Sequence, residues 1–159
     1  MPKEEIFYLT KRGLEKIKEE YESLKKNRLS MIKETPPILH SQDLNPEYLS
    51  FRQRLDFLET RIIRLGYVLK NFKLIKKPKK GKQNIVSLGA TVTLKENEHS
   101  NEFIILGSLE ANPNEGKISY KSPVGRTLLG KKIGDEVIIN SPIRVVYKIK
   151  KIKYNSDCL

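Results

Sequence analysis

Apolar residues recur at alternating steps of three and four in the first 72 positions and gather into short runs beyond position 85. The chain therefore predicts helix first and strand afterwards. Leu14, Ile17, Tyr21, Leu24 and Met31 form one heptad seam, with Arg28 at the missing step. Thr10 suits the N-cap of this helix, but Gly13 has no side chain to complete a capping box. Pro36 and Pro37 require the helix to end by Thr35. Tyr48, Phe51, Leu55, Leu58, Ile62, Leu65 and Leu69 form a second seam. Its start is marked by Asn45 as N-cap, Pro46 at the first helical position and Glu47 beside the helix dipole. Its end is expected near Phe72. Each helix would run for about 25 residues, or roughly 35–40 Å. Two such seams joined by a short loop predict an antiparallel coiled-coil hairpin. The seams are narrow and the remaining surface is charged, so the hairpin is expected to project into solvent or a partner.

From Ile85 onward the pattern reads as a small β-rich domain. Ile85-Val86, Ala90–Leu94, Phe103–Leu106, Lys117–Tyr120, Val137–Ile139 and Val145–Ile149 are strand candidates. Asn112–Gly116 is a turn. Ser122 as N-cap and Pro123 at N1 open a brief helix that Gly130 closes. A sheet with one short helix on a face is α+β. The expected organisation is a hairpin over residues 1–72, a lysine-rich linker over 73–83 and a β-rich domain over 84–159.

Composition supports an elongated part joined to a compact one. With 38% hydrophobic and 31% charged residues, the chain is too polar for one large core and too apolar for disorder. The net charge of +12 is uneven, with +3 before residue 73, +6 within residues 73–83 and +3 after them. Lys76, Lys77, Lys79 and Lys80 lie in that central segment beside Pro78 and Gly81. They are candidates for contact with nucleic-acid phosphates, as point charges rather than base readers. A solvated spacer is the plain alternative.

Several function classes are disfavoured. The single Cys, Cys158, allows no disulfide framework or Cys-based zinc site. His40 and His99 are the only histidines and have no cluster around them, so no metal site is expected. No signal-peptide pattern or membrane-length apolar run is visible, and a cytoplasmic location with no membrane partner is expected.

Three segments resemble the GreA/GreB transcript cleavage factors. The first runs from Lys117 to Val137 and contains Ser122-Pro123-Val124-Gly125-Arg126 and Ile133-Gly134-Asp135-Glu136-Val137. The second is Tyr8–Glu20, and the third is Phe57–Ile62. The resemblance implies an N-terminal antiparallel coiled coil and a C-terminal FKBP-like domain that docks on bacterial RNA polymerase at its secondary channel. It implies an accessory factor, not an enzyme, whose hairpin tip helps the polymerase cleave backtracked RNA. The factor would have no cofactor of its own and would act on the Mg²⁺ of the polymerase active site. Core RNA polymerase and the nascent RNA 3′ end would be its partners, and it would act as a monomer.

The resemblance maps catalytic roles onto the tip. The family reads Asp-Leu-x-Glu-Asn-x-Glu-Tyr there, and this chain reads Asp43-Leu44-Asn45-Pro46-Glu47-Tyr48. Asp43 maps onto the first catalytic acid, while Glu47, the second tip candidate, maps onto the family's later, non-catalytic Glu, and the Glu before the Asn is missing. Weak cleavage stimulation is therefore expected, and a channel regulator without cleavage is the alternative. The polymerase contacts of the family map onto Ser122 and Pro123, although helix capping also explains both residues. An FKBP-like domain raises prolyl isomerisation as another class, but few aromatic residues lie in this half to line the required pocket. A generic DNA- or RNA-binding module would leave the coiled coil unexplained.

Overall fold

A computed structural model describes residues 5–34, 45–140 and 142–156. It is an α+β structure with two compact units.

One unit, Glu15–Asn71, is a helical hairpin. Helix α1 spans Lys11–Lys33 and α2 spans Pro46–Lys70. Leu14, Ile17, Tyr21, Leu24, Arg28 and Met31 are half-buried, while nearly every residue between them is exposed. On α2, Phe51, Leu55 and Leu65 are buried and Tyr48, Leu58, Ile62 and Leu69 are half-buried, while Val68, off the seam, is buried as well. Two helices alone can cover only the strip where they meet, so the burial follows the heptad seams along most of both helices. The helices are antiparallel. Midway along α1, the Tyr21 ring lies 3.6 Å from where a Cβ on Gly66 would sit. Farther along α1, Arg28 Nε donates to Glu59 at 2.8 Å. Arg61 Nε donates to Glu20 at 2.7 Å, and this bond raises the guanidinium pKa against the opposing effect of burial. Both ion pairs are about two-fifths exposed, so each contributes at most about 1 kcal/mol.

The second unit takes in the described residues up to Leu14 and those from Phe72 onward. The boundary thus falls differently from the 1–72 division read from periodicity. Strand β1 (Phe7–Leu9) pairs in parallel with β2 (Phe72–Leu74), and Ile75 N donates to Leu9 O at 2.8 Å. The first residues of the lysine segment are therefore strand, and a 3₁₀ turn follows at Lys80–Lys82.

Five further strands form one sheet: β3 (Thr91–Glu96), β4 (His99–Leu106), β5 (Lys117–Ser119), β6 (Glu136–Asn140) and β7 (Arg144–Lys153). Their order is β5-β4-β3-β7-β6, antiparallel except for the β4–β5 pair. Helix α3 (Pro123–Leu128) contributes Leu128 to a core containing Val92, Leu94, Ile105, Val137, Ile149 and Tyr154. The Tyr154 hydroxyl donates to Ile85 O at 2.6 Å and accepts from Ser87 N at 3.0 Å, so its polar tip is satisfied at the edge of the core. Strand β4 begins earlier than its apolar run. Asn97 takes a left-handed φ of 52°, which allows a two-residue turn and pairs polar His99–Glu102 with β3.

Candidate functional site

The tip candidates differ in what can be said of them. Asp43 lies outside the described residues. Glu47 is the second residue of α2 and is exposed. Its backbone N–H donates to Asn45 Oδ1 at 2.9 Å, and Pro46 precedes it. The cap uses the Glu47 main chain and leaves its carboxylate in solvent at the positive end of the helix dipole. No ion pair engages that carboxylate among the described residues. It is a hard oxygen donor available to an external cation.

Ser122 and Pro123 stand together at the start of α3. Ser122 Oγ accepts from Gly125 N at 3.0 Å and donates to Ser119 O at 2.7 Å. A Cβ on Gly125 would lie 2.1 Å from Ser119 O, so only glycine lets the helix sit this close to β5. Pro123 is exposed. Its ring is thus held outward on a rigid two-sided cap.

Sequence reasoning missed what lies beside that cap. Lys121 Nζ donates to Glu5 at 2.6 Å, which raises the lysine pKa, and it stands 5.9 Å from the Tyr120 ring centroid. Tyr120 packs edge-on against Tyr8 with ring centroids 5.5 Å apart. Ile6, Tyr8, Leu109 and Tyr120 line a shallow cleft there. The chain positions are too far apart for a local pattern to join them, although Tyr8, Tyr120 and Lys121 each lie within a segment that carries the resemblance.

Glu110 is a second omission. Its carboxylate accepts from Thr10 N at 2.7 Å and from Thr10 Oγ1 at 2.6 Å, while Thr10 Oγ1 accepts from Gly13 N at 2.9 Å. A capping box normally takes its acid from the third helical position. Here that position is Gly13, and a Cβ on it would sit 2.2 Å from the Glu110 carboxyl group. A residue 100 positions away therefore performs the missing half of the box. The empty box at Gly13 is the one sequence sign of it.

Lys76, Lys77, Lys79 and Lys80 are all exposed. They flank Pro78, whose carbonyl accepts from Gln83 Nε2 at 3.1 Å. Among the described residues, no three His, Cys, Asp or Glu side chains gather as metal ligands, and no helix is long and apolar enough to cross a membrane.

Comparison with known proteins covers both units. Residues 7–74 match the family described as the N-terminal part of transcription elongation factors, and residues 81–154 match the GreA/GreB C-terminal part. The chain is 40% identical over 158 residues to transcription elongation factor GreA of Bacillus licheniformis, covering 96% of this chain and 99% of that protein. It is 40% identical over 159 residues to GreA of Clostridium acetobutylicum, covering 96% and 100%. Among solved structures, the GreA factor homologue 1 of Thermus thermophilus aligns at 23% identity over 94% of this chain and 99% of that one, with a TM-score of 0.42.

Proposed function

The chain belongs to the GreA/GreB family of transcription elongation factors, and from that we propose that it binds bacterial RNA polymerase at the secondary channel and promotes cleavage of backtracked RNA. The observation that carries this reading is the 40% identity to a GreA protein over nearly the full length of both chains. The factor acts as an accessory: the polymerase makes and breaks the bonds, and this chain supplies contacts. It acts as a cytoplasmic monomer on core polymerase and the nascent RNA 3′ end.

Each part of the chain has a role in this reading. Ser122 and Pro123 dock the β-rich unit, because their cap is rigid and Pro123 is exposed. The hairpin carries the tip acids into the channel. Asp43 is the principal carboxylate and Glu47 a secondary one that would serve a Mg²⁺ held by the polymerase. A bound Mg²⁺ supplies Lewis-acid polarisation and a more acidic water. The unpaired Glu47 carboxylate fits such an ion as a single hard donor. The lysines from Lys76 to Lys80 add attraction to nucleic-acid phosphates, DNA included.

A second reading rests on the shortened tip, in which one acid of the family pattern is missing between Asp43 and Asn45. There the factor occupies the channel without stimulating cleavage. Stalled elongation complexes with labelled RNA separate the two. We expect weak but measurable shortening of the RNA with the wild-type factor. Asp43→Ala should remove most of the stimulation, and Glu47→Ala less of it, with polymerase binding retained in both. Binding without any cleavage establishes the second reading. Robust cleavage that survives Asp43→Ala overturns the role of Asp43.

A further inference from the structure

The outer face of the five-stranded sheet carries a strip of lysines that the reading above leaves unused. Residues directly opposite one another on neighbouring strands share a face. Val92 and Leu94 on β3 and Ile149 on β7 are fully buried and mark the inner face. Thr91, Thr93 and Lys95 alternate with them and lie opposite Lys153, Lys151 and Lys148. Those four lysines therefore stand on one surface. The register shift between Thr93 and Leu94 leaves Lys150 as the extra residue of a bulge.

Strand β7, Arg144–Lys153, holds five basic residues and no acidic one. Lys95, Lys148, Lys150, Lys151 and Lys153 are all exposed. None of the five has an ion-pair partner among the described residues. Glu102 and Glu136 lie on the same face, opposite Thr93 and Lys148, too few to neutralise it. Lys95 and Lys148 face each other across the ladder, where like charges repel. An unpaired cationic strip of this kind is complementary to a polyanion.

The chemistry selects the class of polyanion. Protein interfaces favour arginine and are depleted in lysine. Phosphate backbones accept lysine as a point charge. The aromatic residues of these strands, Phe103 and Tyr147, lie opposite Val92 and Val137, on the inner face. The outer face therefore has nothing to stack on a base. We propose that this face binds the sugar-phosphate backbone of a nucleic acid without reading its sequence. The surface is distinct from the Lys76–Lys80 segment.

The test is the affinity of the full chain for a 20-base-pair duplex, read by fluorescence anisotropy between 50 and 200 mM salt. Each phosphate neutralised adds about 0.9 to the slope of log affinity against log salt. Replacing Lys95, Lys148, Lys151 and Lys153 by Gln should reduce that slope by about 3 to 4 and weaken binding by more than about tenfold at 50 mM salt. Arginine at the same four positions should preserve it. Lys148→Gln and Lys151→Gln alone should each reduce the slope by about 1, which gives a readout if the fourfold variant folds poorly. A duplex of unrelated sequence should bind equally well. The segment from Lys76 to Lys80 stays intact in every arm, so its contribution is common to all. An unchanged slope in the Gln variants overturns the proposal. So does polyglutamate binding as tightly as the duplex, which would make the face a site for an acidic protein.

Discussion

Glu110 shows how much one side chain can carry in this structure. It accepts two hydrogen bonds from Thr10 and occupies the space that Gly13 leaves free. Glu110→Ala is expected to destabilise the fold by about 1–3 kcal/mol, measured by urea unfolding, because Thr10 N loses a charged acceptor in a partly buried place. Gly13→Ala should also destabilise, since the carboxylate must move to admit a methyl group. The two effects are not independent. With Glu110 already Ala, Gly13→Ala should become neutral or stabilising by up to about 1 kcal/mol, the ordinary preference of a helix for Ala over Gly. Equal costs of Gly13→Ala in both backgrounds would show that the two sites do not interact. Thr10 was legible as a cap because caps are local. Glu110 was not, because nothing near it in the chain refers to helix α1.

The legibility of each element follows from how locally it is determined. Both long helices follow their heptad seams until the last turns of α2, where off-seam Val68 is buried and Leu69 only half-buried, and α2 begins at the Asn45-Pro46-Glu47 signal. Helix α3 begins at Ser122-Pro123 as read. Strand β4 was read too short, since His99–Glu102 are polar and gain their place only by pairing with β3 across the Asn97 turn. Strands β1 and β2 have three residues each, too few for a period to emerge, and their parallel pairing joins distant parts of the chain. Helix α3 also supports a functional test. Pro123→Glu should leave the fold intact, because the position is exposed and an acid in the first turn suits the dipole. It should reduce polymerase binding by about tenfold or more, through lost contact and added charge. A variant with unchanged circular dichroism and unchanged binding would remove Pro123 from the docking surface.

At the scale of the whole molecule, the net charge of +12 is the property to test against binding. Changing Lys76, Lys77, Lys79 and Lys80 to Gln should weaken binding to core polymerase by up to about tenfold at 50 mM salt, each exposed charge contributing less than about 1 kcal/mol. The difference should fade as salt rises and the screening length falls toward about 8 Å. A titration across salt concentrations measures it, and unchanged affinity throughout would make the segment a spacer.

The sequence by itself determined the two helices, their seams and caps, the α+β class and the excess of lysine, because each is written in residues a few positions apart. Heptad spacing, proline at N1 and runs of like charge need no distant partner to take effect. Only the tertiary structure decided that the N-terminal strand joins the sheet-bearing unit and that Glu110 completes the cap of α1. It also decided that Lys95 and three lysines of β7 share one face. Those outcomes depend on strand register and on contacts between residues far apart in the chain. Such contacts form only when the entropy of closing long loops is repaid by packing, which no local pattern records.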